Sequence, residues 1–414
     1  MKAKYFWIGA LSSFAVLSII WMSVSIVSNL TGLIVSMSRE STQAEGKSLR
    51  ENMDIKWFES KIKDIDDKLN KNYIEEIDKE KMYEEALKGY VNALGDPYTN
   101  YMTKEEFEEF QKDLSASYDG IGAPLVRDKQ TNALTIISPY KGSPAEKSGI
   151  RTGDVIIAVD GEEISSIEVE EIARRIRGEK GTTVVLTIQR KVEERVEVKD
   201  ISIVRDTIII PTIEAKMLPD EIGYIAIFGF DEPTGEQFKK EIDHFRQKNI
   251  KGLVIDLRGN PGGYLQIAQE IADEIMLNGL VVSVKDKHGN TTEYKATNPA
   301  ELKVPIAVLV DKGSASASEI LAGALKDHNL ATVVGTTTFG KGLVQNTMPF
   351  LDGSALKITI AKYYTPSGEY IHGKGIDPDI AVELKELSEE DKKNPDKMDN
   401  QLQKAWEVVK SQIR

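Results

Sequence analysis

The pattern of apolar and charged positions begins with a long uncharged run, residues 5–38, which predicts a membrane-spanning helix. About 20 apolar residues are enough to cross the hydrocarbon core of a bilayer. Lys2 and Lys4 precede the run, and positive residues beside a first helix favour the cytoplasmic side. We therefore expect a single-pass anchor at residues 1–38, with the rest of the chain outside the cytoplasm. Cleavage near residues 36–38, as in a signal peptide, is the open alternative.

Residues 40–112 place apolar side chains at helical spacing within a highly charged background. One set covers residues 57–69 and a second covers residues 82–91. The Gly-Asp-Pro sequence at 95–97 then interrupts the pattern. This pattern predicts an N-terminal helical region that is too thin to form a large core by itself.

Two further patterns follow along the chain. Residues 113–195 contain short strand-like runs and one amphipathic helix. In residues 200–385, apolar runs alternate with helical segments, which is typical of a parallel sheet with crossover helices. The predicted strands are 222–227, 253–257, 306–310 and 331–334, and the predicted helices are 169–177, 235–248, 265–276 and 319–327. We expect a charged run and one helix at 386–414, with no further domain after them.

Composition and charge narrow the function. The formal net charge of −13 argues against a nucleic-acid surface, because binding phosphates requires basic patches. The chain has no cysteine and only four histidines, none of them in a recognisable catalytic motif or at the helical spacing of metal ligands. We therefore expect no disulfide, no metal and no cofactor, and no histidine-based hydrolase.

The main candidate for chemistry is the serine cluster Ser314, Ser316 and Ser318. It follows the predicted strand 306–310 and precedes the predicted helix 319–327. Such a turn exposes a side chain at the carboxyl end of a sheet and leaves the first helix amides unpaired. Those amides can stabilise an oxyanion. Taken alone, a run of small residues is more typical of a close-packed helix start.

Lys341 is the candidate base for a serine nucleophile. A lysine near its reference pKa of roughly 10.4 is protonated and cannot accept a proton. Burial lowers a lysine pKa by up to about 3 to 5 units, which makes the amine a usable base. Gly340 and Gly342 allow close backbone approach and so favour burial of the amine. Gln345 follows closely, where its amide can orient the amine without adding charge.

Three motifs, in this order, resemble the carboxy-terminal processing (tail-specific) peptidases, which are serine proteases of the S41 group. The motifs are DLRGNPGG at 256–263, SASASE at 314–319 and FGKGLVQ at 339–345. The resemblance extends over about residues 50–385 and implies a crotonase/ClpP-like αβ protease core. It places the nucleophile on Ser316, the general base on Lys341 and the third catalytic residue on Gln345.

The resemblance also implies an oxyanion hole. One donor is the amide of Ala317, and the other is a glycine amide of the turn at 260–263, which we assign to Gly262. The residues themselves support this placement, because 253–257 and 306–310 are both predicted parallel strands. Loops after two such strands meet at the same edge of the sheet.

Residues 113–195 resemble a PDZ domain, through the loop at 120–125 and the Gly-Asp-Val-Ile run at 153–156. Glycines in that loop free backbone amides for a carboxylate, while an extended peptide end adds to the neighbouring strand edge. We expect the domain to bind apolar C-terminal tails, with Ile172 or Ile176 lining the groove. The predicted peptide-binding residues are Gly120, Ile121, Gly122, Ala123 and Leu125.

Two alternatives of other classes stay open at this point. Residues 335–341 fit the first seven positions of a phosphate-binding loop, although Gly342 occupies the position that requires serine or threonine. The chain is alternatively a membrane-tethered PDZ scaffold without catalytic activity, although the intact Ser316 and Lys341 argue against this alternative.

The sequence therefore predicts an α/β multidomain serine endopeptidase at a bacterial cell membrane. Its substrates are extracytoplasmic proteins, held by their C-terminal regions in the PDZ domain. The resemblance also implies a homodimer formed through the N-terminal helices. A further hypothesis is that the PDZ domain closes the site until a tail binds, with Arg174, Arg175 and Arg177 coupling the two domains.

Overall fold

The computed structural model describes residues 54–128, 132–165, 167–192, 195–298, 302–385 and 397–413. The predicted anchor at 1–38 lies outside these residues, so it stays a prediction. Within the ranges just given, no helix has both the length and the apolar character needed to span a membrane. The chain forms two compact units, Met1–Tyr83 and Glu84–Arg414. The domain boundaries expected from the sequence also remain predictions.

The region predicted to be helical contains three helices in its described part. They are α1 (Ile55–Asn72), α2 (Lys79–Asn92) and α3 (Lys104–Ser115), and the short strand β1 (Asn100–Met102) lies between α2 and α3. Thr103 begins α3 with a capping box, in which it exchanges hydrogen bonds with Glu106. The purely helical prediction was wrong for β1, because the partner strand lies far along the chain.

The next region is an antiparallel sheet with two short helices, of which the pattern predicted one. Its elements are β2 (Ser117–Gly120), β3 (Leu125–Arg127), β4 (Leu134–Ile136), α4 (Pro144–Lys147), β5 (Val155–Val159), β6 (Glu162–Glu163), α5 (Val169–Ile176), β7 (Thr183–Val192) and β8 (Arg195–Val204). The sheet order is β3-β4-β5-β7-β8, with β6 on β5. Val184, Leu186 and Ile188 alternate along β7 and are fully buried, since every second strand residue faces the same side.

The larger αβ region follows. Its elements are β9 (Asp206–Ile209), β10 (Ile213–Leu218), β11 (Ile222–Ile227), α6 (Thr234–Gln247), β12 (Gly252–Asp256), α7 (Leu265–Ile275), β13 (Gly279–Asp286), β14 (Thr291–Ala296), β15 (Ile306–Val310), α8 (Ala317–Asp327), β16 (Ala331–Gly335), β17 (Leu343–Pro349), β18 (Ala355–Tyr364), β19 (Ile380–Ala381) and α9 (Asn400–Gln412). The four strands and three helices predicted from the apolar runs in this region are all present.

The central sheet has the order β10-β11-β12-β15-β16-β19, and its pairs from β11 to β19 are parallel. Helices α6, α7 and α8 supply the core on one face, which includes Leu253 and Ile255 of β12. Helix α9 packs on the other face, where Val254 is buried. Burial on both faces explains why β12 is an uninterrupted apolar run.

A second, antiparallel sheet has the order β1-β18-β13-β14, with β17 also paired to β18. Asn100 of β1 lies opposite Lys357 of β18. The Thr359 N–H also donates to Thr99 Oγ1 at 3.0 Å, just before β1. This pairing brings residues 96–99 from the N-terminal part of the chain beside β17 and β18.

The PDZ-like sheet is joined to the rest of its unit by a pair of short strands. β2 precedes this sheet, β9 follows it, and the two strands pair antiparallel from Ser117 opposite Ile209 to Gly120 opposite Asp206. The sheet is therefore an insertion between the N-terminal helices and the αβ region, with its entry and exit held together.

Candidate active site

The loops after β12 and β15 meet at one edge of the central sheet, as predicted from the two apolar strands. The Ala315 N–H donates to the Asn260 carbonyl at 3.0 Å, and the Leu257 N–H donates to the Leu309 carbonyl at 2.9 Å. The serine cluster and the glycine-rich turn thus lie against each other, as adjacent parallel strands require.

Two serines of the cluster are structural clamps. The Ser314 hydroxyl donates to the Leu257 carbonyl at 2.8 Å, and the Ser318 hydroxyl donates to the Asn260 carbonyl at 3.0 Å. Both side chains are fully buried. Ser316, between them, is only half-buried. The fold thus commits the outer hydroxyls to the neighbouring loop and leaves the middle serine accessible.

Ser316 has a strained backbone, with φ 54° and ψ −113°, immediately before α8. A residue with a side chain seldom adopts such angles, and strain of this kind is concentrated at functional sites. The Tyr363 hydroxyl donates to the Ser316 carbonyl at 3.2 Å, and the Ser316 N–H donates to Glu319 Oε2 at 3.0 Å. Both contacts hold the turn in its strained form.

Gly262 lies directly against the serine turn. A Cβ atom on Gly262 would lie 2.8 Å from Ser316 Cβ and 2.9 Å from the Ala317 nitrogen, so only glycine fits there. The Ala317 N–H has no acceptor in the described part of the chain, whereas the Gly262 N–H donates to Asn260 Oδ1 at 2.8 Å. Gly262 must leave Asn260 to serve an oxyanion, and its assignment stays a prediction.

The glycine-rich turn is anchored beneath by a buried charge network. Arg258 contacts Asp256 at 2.6 Å and Asp399 at 3.0 Å, and Asp399 is the residue that caps α9. The Tyr224 hydroxyl donates to Asp256 Oδ2 at 2.9 Å. The turn that carries Gly262 is therefore tied to the C-terminal helix as well as to the sheet.

The environment of Lys341 fits a lysine base. Burial is the main cause that lowers the pKa of its amine below the ordinary lysine value, and the positive charge of Lys357 lowers this pKa further. The carboxylates of Glu319 and Asp96 act in the opposite direction. The net shift towards the neutral amine is what proton acceptance from a serine requires.

The glycines around Lys341 allow the close approach expected of them. A Cβ atom on Gly340 would lie 2.8 Å from the Gly375 nitrogen, and one on Gly342 would lie 2.8 Å from the His372 nitrogen. Gly340 also has a φ of 87°, in the left-handed region that favours glycine. The loop that carries Lys341 therefore packs directly on the backbone of residues 372–375.

One buried carboxylate, Glu319, connects the serine turn to the lysine loop. Besides the Ser316 N–H, it accepts the Gly340 N–H at 2.7 Å, the Lys341 N–H at 2.8 Å and the Thr338 hydroxyl at 2.5 Å. Its side chain has no solvent exposure. These bonds show that the Gly340 and Lys341 amides already have a protein acceptor.

The phosphate-binding loop considered for residues 335–341 is wrong. Such a loop needs free amides and a helix after it, whereas strand β17 begins at Leu343.

The backbone amides of Ser316 and Lys341 both bond to Glu319, but the three side chains predicted to be catalytic are not joined. The Lys341 amine lies 4.9 Å from the centre of the Tyr98 ring. The Gln345 amide donates a long hydrogen bond of 3.4 Å to Thr359 Oγ1. Within the residues that the structure describes, no hydrogen bond links Ser316, Lys341 and Gln345 through their side chains.

Comparisons with known proteins identify the family. A model of peptidase family S41 matches residues 221–382, a PDZ domain model matches residues 135–190, and a model of the N-terminal domain of activating protease CtpB matches residues 6–106. The carboxy-terminal processing protease CtpB of Bacillus subtilis is 40% identical over 326 residues, which cover 78% of this chain and 67% of CtpB. This chain belongs to peptidase family S41.

Two further similarities agree with this assignment. The carboxy-terminal processing protease CtpA of Bacillus subtilis is 40% identical over 326 residues, which cover 77% of this chain and 69% of CtpA. A solved structure described as an S41 protease from Bacteroides fragilis is 16% identical, covers 82% of this chain and 91% of that chain, and has a TM-score of 0.50. The second similarity supports the fold alone.

This S41 peptidase is a C-terminal processing serine protease with a PDZ domain, which implies protein substrates. That conclusion sets aside the scaffold without catalytic activity as an alternative. The positions of its catalytic and peptide-binding residues are supported by geometry but stay predictions.

The predicted peptide-binding loop of the PDZ domain is held by backbone hydrogen bonds from residues 140–145. The Ile121 carbonyl accepts the Ala145 N–H at 2.8 Å, and the Gly122 carbonyl accepts the Tyr140 N–H at 2.8 Å. Gly122 has a φ of 76°, whereas Gly120 is the last residue of β2. The loop thus has a fixed backbone.

The side chains of this loop are more buried than a groove lining requires. Ile121 and Ala123 belong to the domain core together with Ile172 and Ile176, while Leu125 is partly buried against that core. The sequence could not show this difference, because an apolar residue suits a core and a groove equally well. Their role in peptide binding stays a prediction.

The basic residues expected to couple the two domains have other contacts in this S41 peptidase. Arg174 pairs with Glu171, and Arg175 pairs with Glu171 at 3.1 Å and with Glu162 at 2.7 Å, all within the PDZ domain. Arg177 lies over the ring of Tyr118 in β2, 4.9 Å from its centre. Of the three, only Arg177 contacts the strand pair that leads to the protease core.

Sequence reasoning missed four residues that reach the site. Glu319 was part of a quoted motif but was given no role. Asp96 was treated only as part of a break in a helical pattern, and Tyr98 and Thr359 were not considered. The Asp-Pro-Tyr-Thr order at 96–99 was the available signal, since Asp and Pro mark a turn that can carry a side chain to a site.

Proposed function

We propose that this S41 peptidase cleaves extracytoplasmic proteins with a Ser316, Lys341 and Gln345 site. The observation that carries the proposal is the serine turn. Ser316 is strained and accessible, its neighbouring serines are committed to the adjacent loop, and Gly262 and the unpaired Ala317 amide lie beside it. This combination presents one hydroxyl to a substrate carbonyl next to amide donors.

The chemistry follows from these positions. Ser316 Oγ attacks the substrate carbonyl while its proton passes to the neutral Lys341 amine, and the carbonyl oxygen becomes an oxyanion stabilised by the amides of Ala317 and Gly262. Lys341 then gives its proton to the leaving amine, which releases the C-terminal product and leaves an acyl-enzyme. Water, activated by the Lys341 amine, cleaves the ester and regenerates Ser316.

Assembly of this site requires a local change in the lysine half. Lys341 leaves the Tyr98 ring and approaches Ser316, and Gln345 exchanges its 3.4 Å bond to Thr359 for a bond to the Lys341 amine. A hydrogen bond of that length is weak, so its loss costs little. Catalytic hydrogen bonds are often long or absent in the free enzyme and form only in the substrate complex.

The PDZ domain selects the substrate in this proposal. An extended C-terminal tail adds to the edge of β3, which among the described strands pairs only with β4. The loop at 120–123 supplies amides for the terminal carboxylate, and Leu125 contacts the last side chains. The chain is held at a bacterial cell membrane by residues 1–38, and its N-terminal helices associate two copies.

The deciding experiment is cleavage of an unfolded protein substrate with an apolar C-terminus. We expect Ser316→Ala and Lys341→Ala each to lower kcat/KM by about 10³-fold or more, because a nucleophile and its base act as one unit. Both variants are expected to fold and to unfold at a temperature slightly below that of the wild type, since each loses one contact: the Ser316 side chain takes part in the capping box of α8, and the Lys341 amine lies over the Tyr98 ring.

The matched control is Ser318→Ala, a serine of the same cluster. It removes the 3.0 Å bond to the Asn260 carbonyl and is expected to lower stability by about 1 kcal/mol while cleavage persists. Substantial activity in Ser316→Ala or Lys341→Ala would show that the roles are assigned to the wrong residues.

A further inference from the structure

The amine of Lys341 contacts the aromatic ring of Tyr98. The amine lies 4.9 Å from the centre of the Tyr98 ring, within the range of a cation–π interaction. Lys341 is half-buried, so this contact is partly shielded from water. A cation–π contact holds an ammonium group over the face of the ring and favours its charged form.

The position of Tyr98 is built into the fold. Asp96 Oδ1 accepts the Tyr98 N–H at 3.0 Å, and Asp96 Oδ2 accepts the Thr99 hydroxyl at 2.6 Å. Thr99 Oγ1 in turn accepts the Thr359 N–H of β18 at 3.0 Å. The turn that carries the ring is therefore fixed to the sheet that also carries Gln345 on β17.

A second aromatic side chain, His372, contacts the Tyr98 ring. The His372 ring meets Tyr98 edge to face, with ring centres 6.4 Å apart, and Tyr370 lies 5.9 Å from His372. Residues 372–375 are also the backbone against which Gly340 and Gly342 pack. The same loop thus positions the ring and the backbone of the lysine that the ring contacts.

The Tyr98 ring and Ser316 Oγ require different states of one amine. The ring contact stabilises the ammonium, whereas proton acceptance from Ser316 requires the neutral amine at hydrogen-bond distance. In the described residues Lys341 has the first contact and lacks the second. We propose that Tyr98 is a positioning residue of the base, which holds Lys341 over its ring in the resting enzyme and releases it when the site assembles.

The inference rests on the proposed role of Lys341, and the pH profile of kcat/KM tests it. Groups that face the Lys341 amine are Asp96 and Tyr98 from the turn before β1, Glu319 from α8 and Lys357 from β18, with His372 against the Tyr98 ring. The profile rises with pH as Lys341 loses its proton, and this acid limb reports the free enzyme.

Tyr98→Leu removes the aromatic face. It is expected to raise kcat/KM at pH 7 about threefold to tenfold and to move the acid limb to lower pH by about half a unit to one unit. Tyr98→Phe restores an aromatic face and is expected to rescue the wild-type limb. Tyr98→Trp, with the strongest aromatic partner for a cation, is expected to move the limb to higher pH.

Two controls separate this inference from the proposed function. Tyr90→Leu, on the exposed surface of α2, is expected to leave the profile unchanged. Lys341→Ala must be inactive in the same assay, because activity there would overturn the role of the base itself.

An unchanged or lower kcat/KM for a folded Tyr98→Leu, with Lys341→Ala inactive, would overturn the holding role alone. If Tyr98→Leu does not fold, Tyr98→Trp decides, and an acid limb at the wild-type pH in that variant overturns the role equally.

Discussion

The serine half and the lysine half of the site differ in how firmly they are built. Ser316 lies between two buried serines bonded to the neighbouring loop, at the end of a central strand whose residues are fully buried. Lys341 and Gln345 lie at the edge of the second sheet, with an aromatic contact of 4.9 Å and a hydrogen bond of 3.4 Å. The proposed nucleophile, Ser316, is thus set in advance, whereas in this proposal the base, Lys341, must be brought to it.

This difference is useful in a protease that acts on other proteins. A rigid nucleophile with its amides keeps the geometry of attack, which is the part that needs accurate preorganisation. An adjustable base makes activity depend on a small movement of one loop, and a two-state element of this kind is what a regulator or substrate can bias. Glu319 contacts both halves, because its carboxylate accepts the backbone amides of Ser316 and Lys341.

Replacing Glu319 is expected to have the largest effect on activity and stability, because its carboxylate bonds to both the serine half and the lysine half. Glu319→Gln is expected to lower kcat by about 10²-fold or more, and the free energy of unfolding by about 2 to 4 kcal/mol, since an amide cannot accept all four donors. Single-turnover cleavage and urea unfolding measure the two effects. Activity within about twofold of wild type would show that the halves do not need this connection.

Replacing Gln345 tests the lysine half alone and is expected to have a smaller effect on kcat. Gln345→Ala is expected to lower kcat about tenfold, because the amine loses its orienting partner, while the unfolding midpoint in urea stays at the wild-type value. The structural cost is small since the bond to Thr359 is long. Gln345→Glu is the matched variant of equal size. A Gln345→Ala enzyme with wild-type kcat would remove Gln345 from the site.

The serine half was also the easier one to predict. Ser316 follows the apolar strand β15, and the glycine turn follows β12, so two local patterns and their order were enough to bring them together. The lysine half depends on β1 pairing with β18, where Met102 lies opposite Ala355. Nothing local in a three-residue strand indicates so distant a partner, which is why Tyr98 was missed.

The PDZ domain shows a different limit of sequence reasoning. Short strands and the helix α5 were predicted, the short helix α4 was not, and the glycine loop lies where it was expected. Whether Ile121 faces a core or a groove depends on how the domain packs, and here Ile121 joins Ile172 and Ile176 of α5 in the core. The direction in which Ile121 points is set by the packing of the domain, and hydrophobicity alone does not predict it.

The most direct test of the central claim is a crystal structure of the wild-type enzyme with a peptide boronate, which forms a tetrahedral adduct on a nucleophilic serine. The account predicts a bond from boron to Ser316 Oγ, with the Lys341 amine within about 3 Å of that oxygen and away from the Tyr98 ring. An adduct on another residue, or an adduct on Ser316 with Lys341 still over Tyr98, would contradict it.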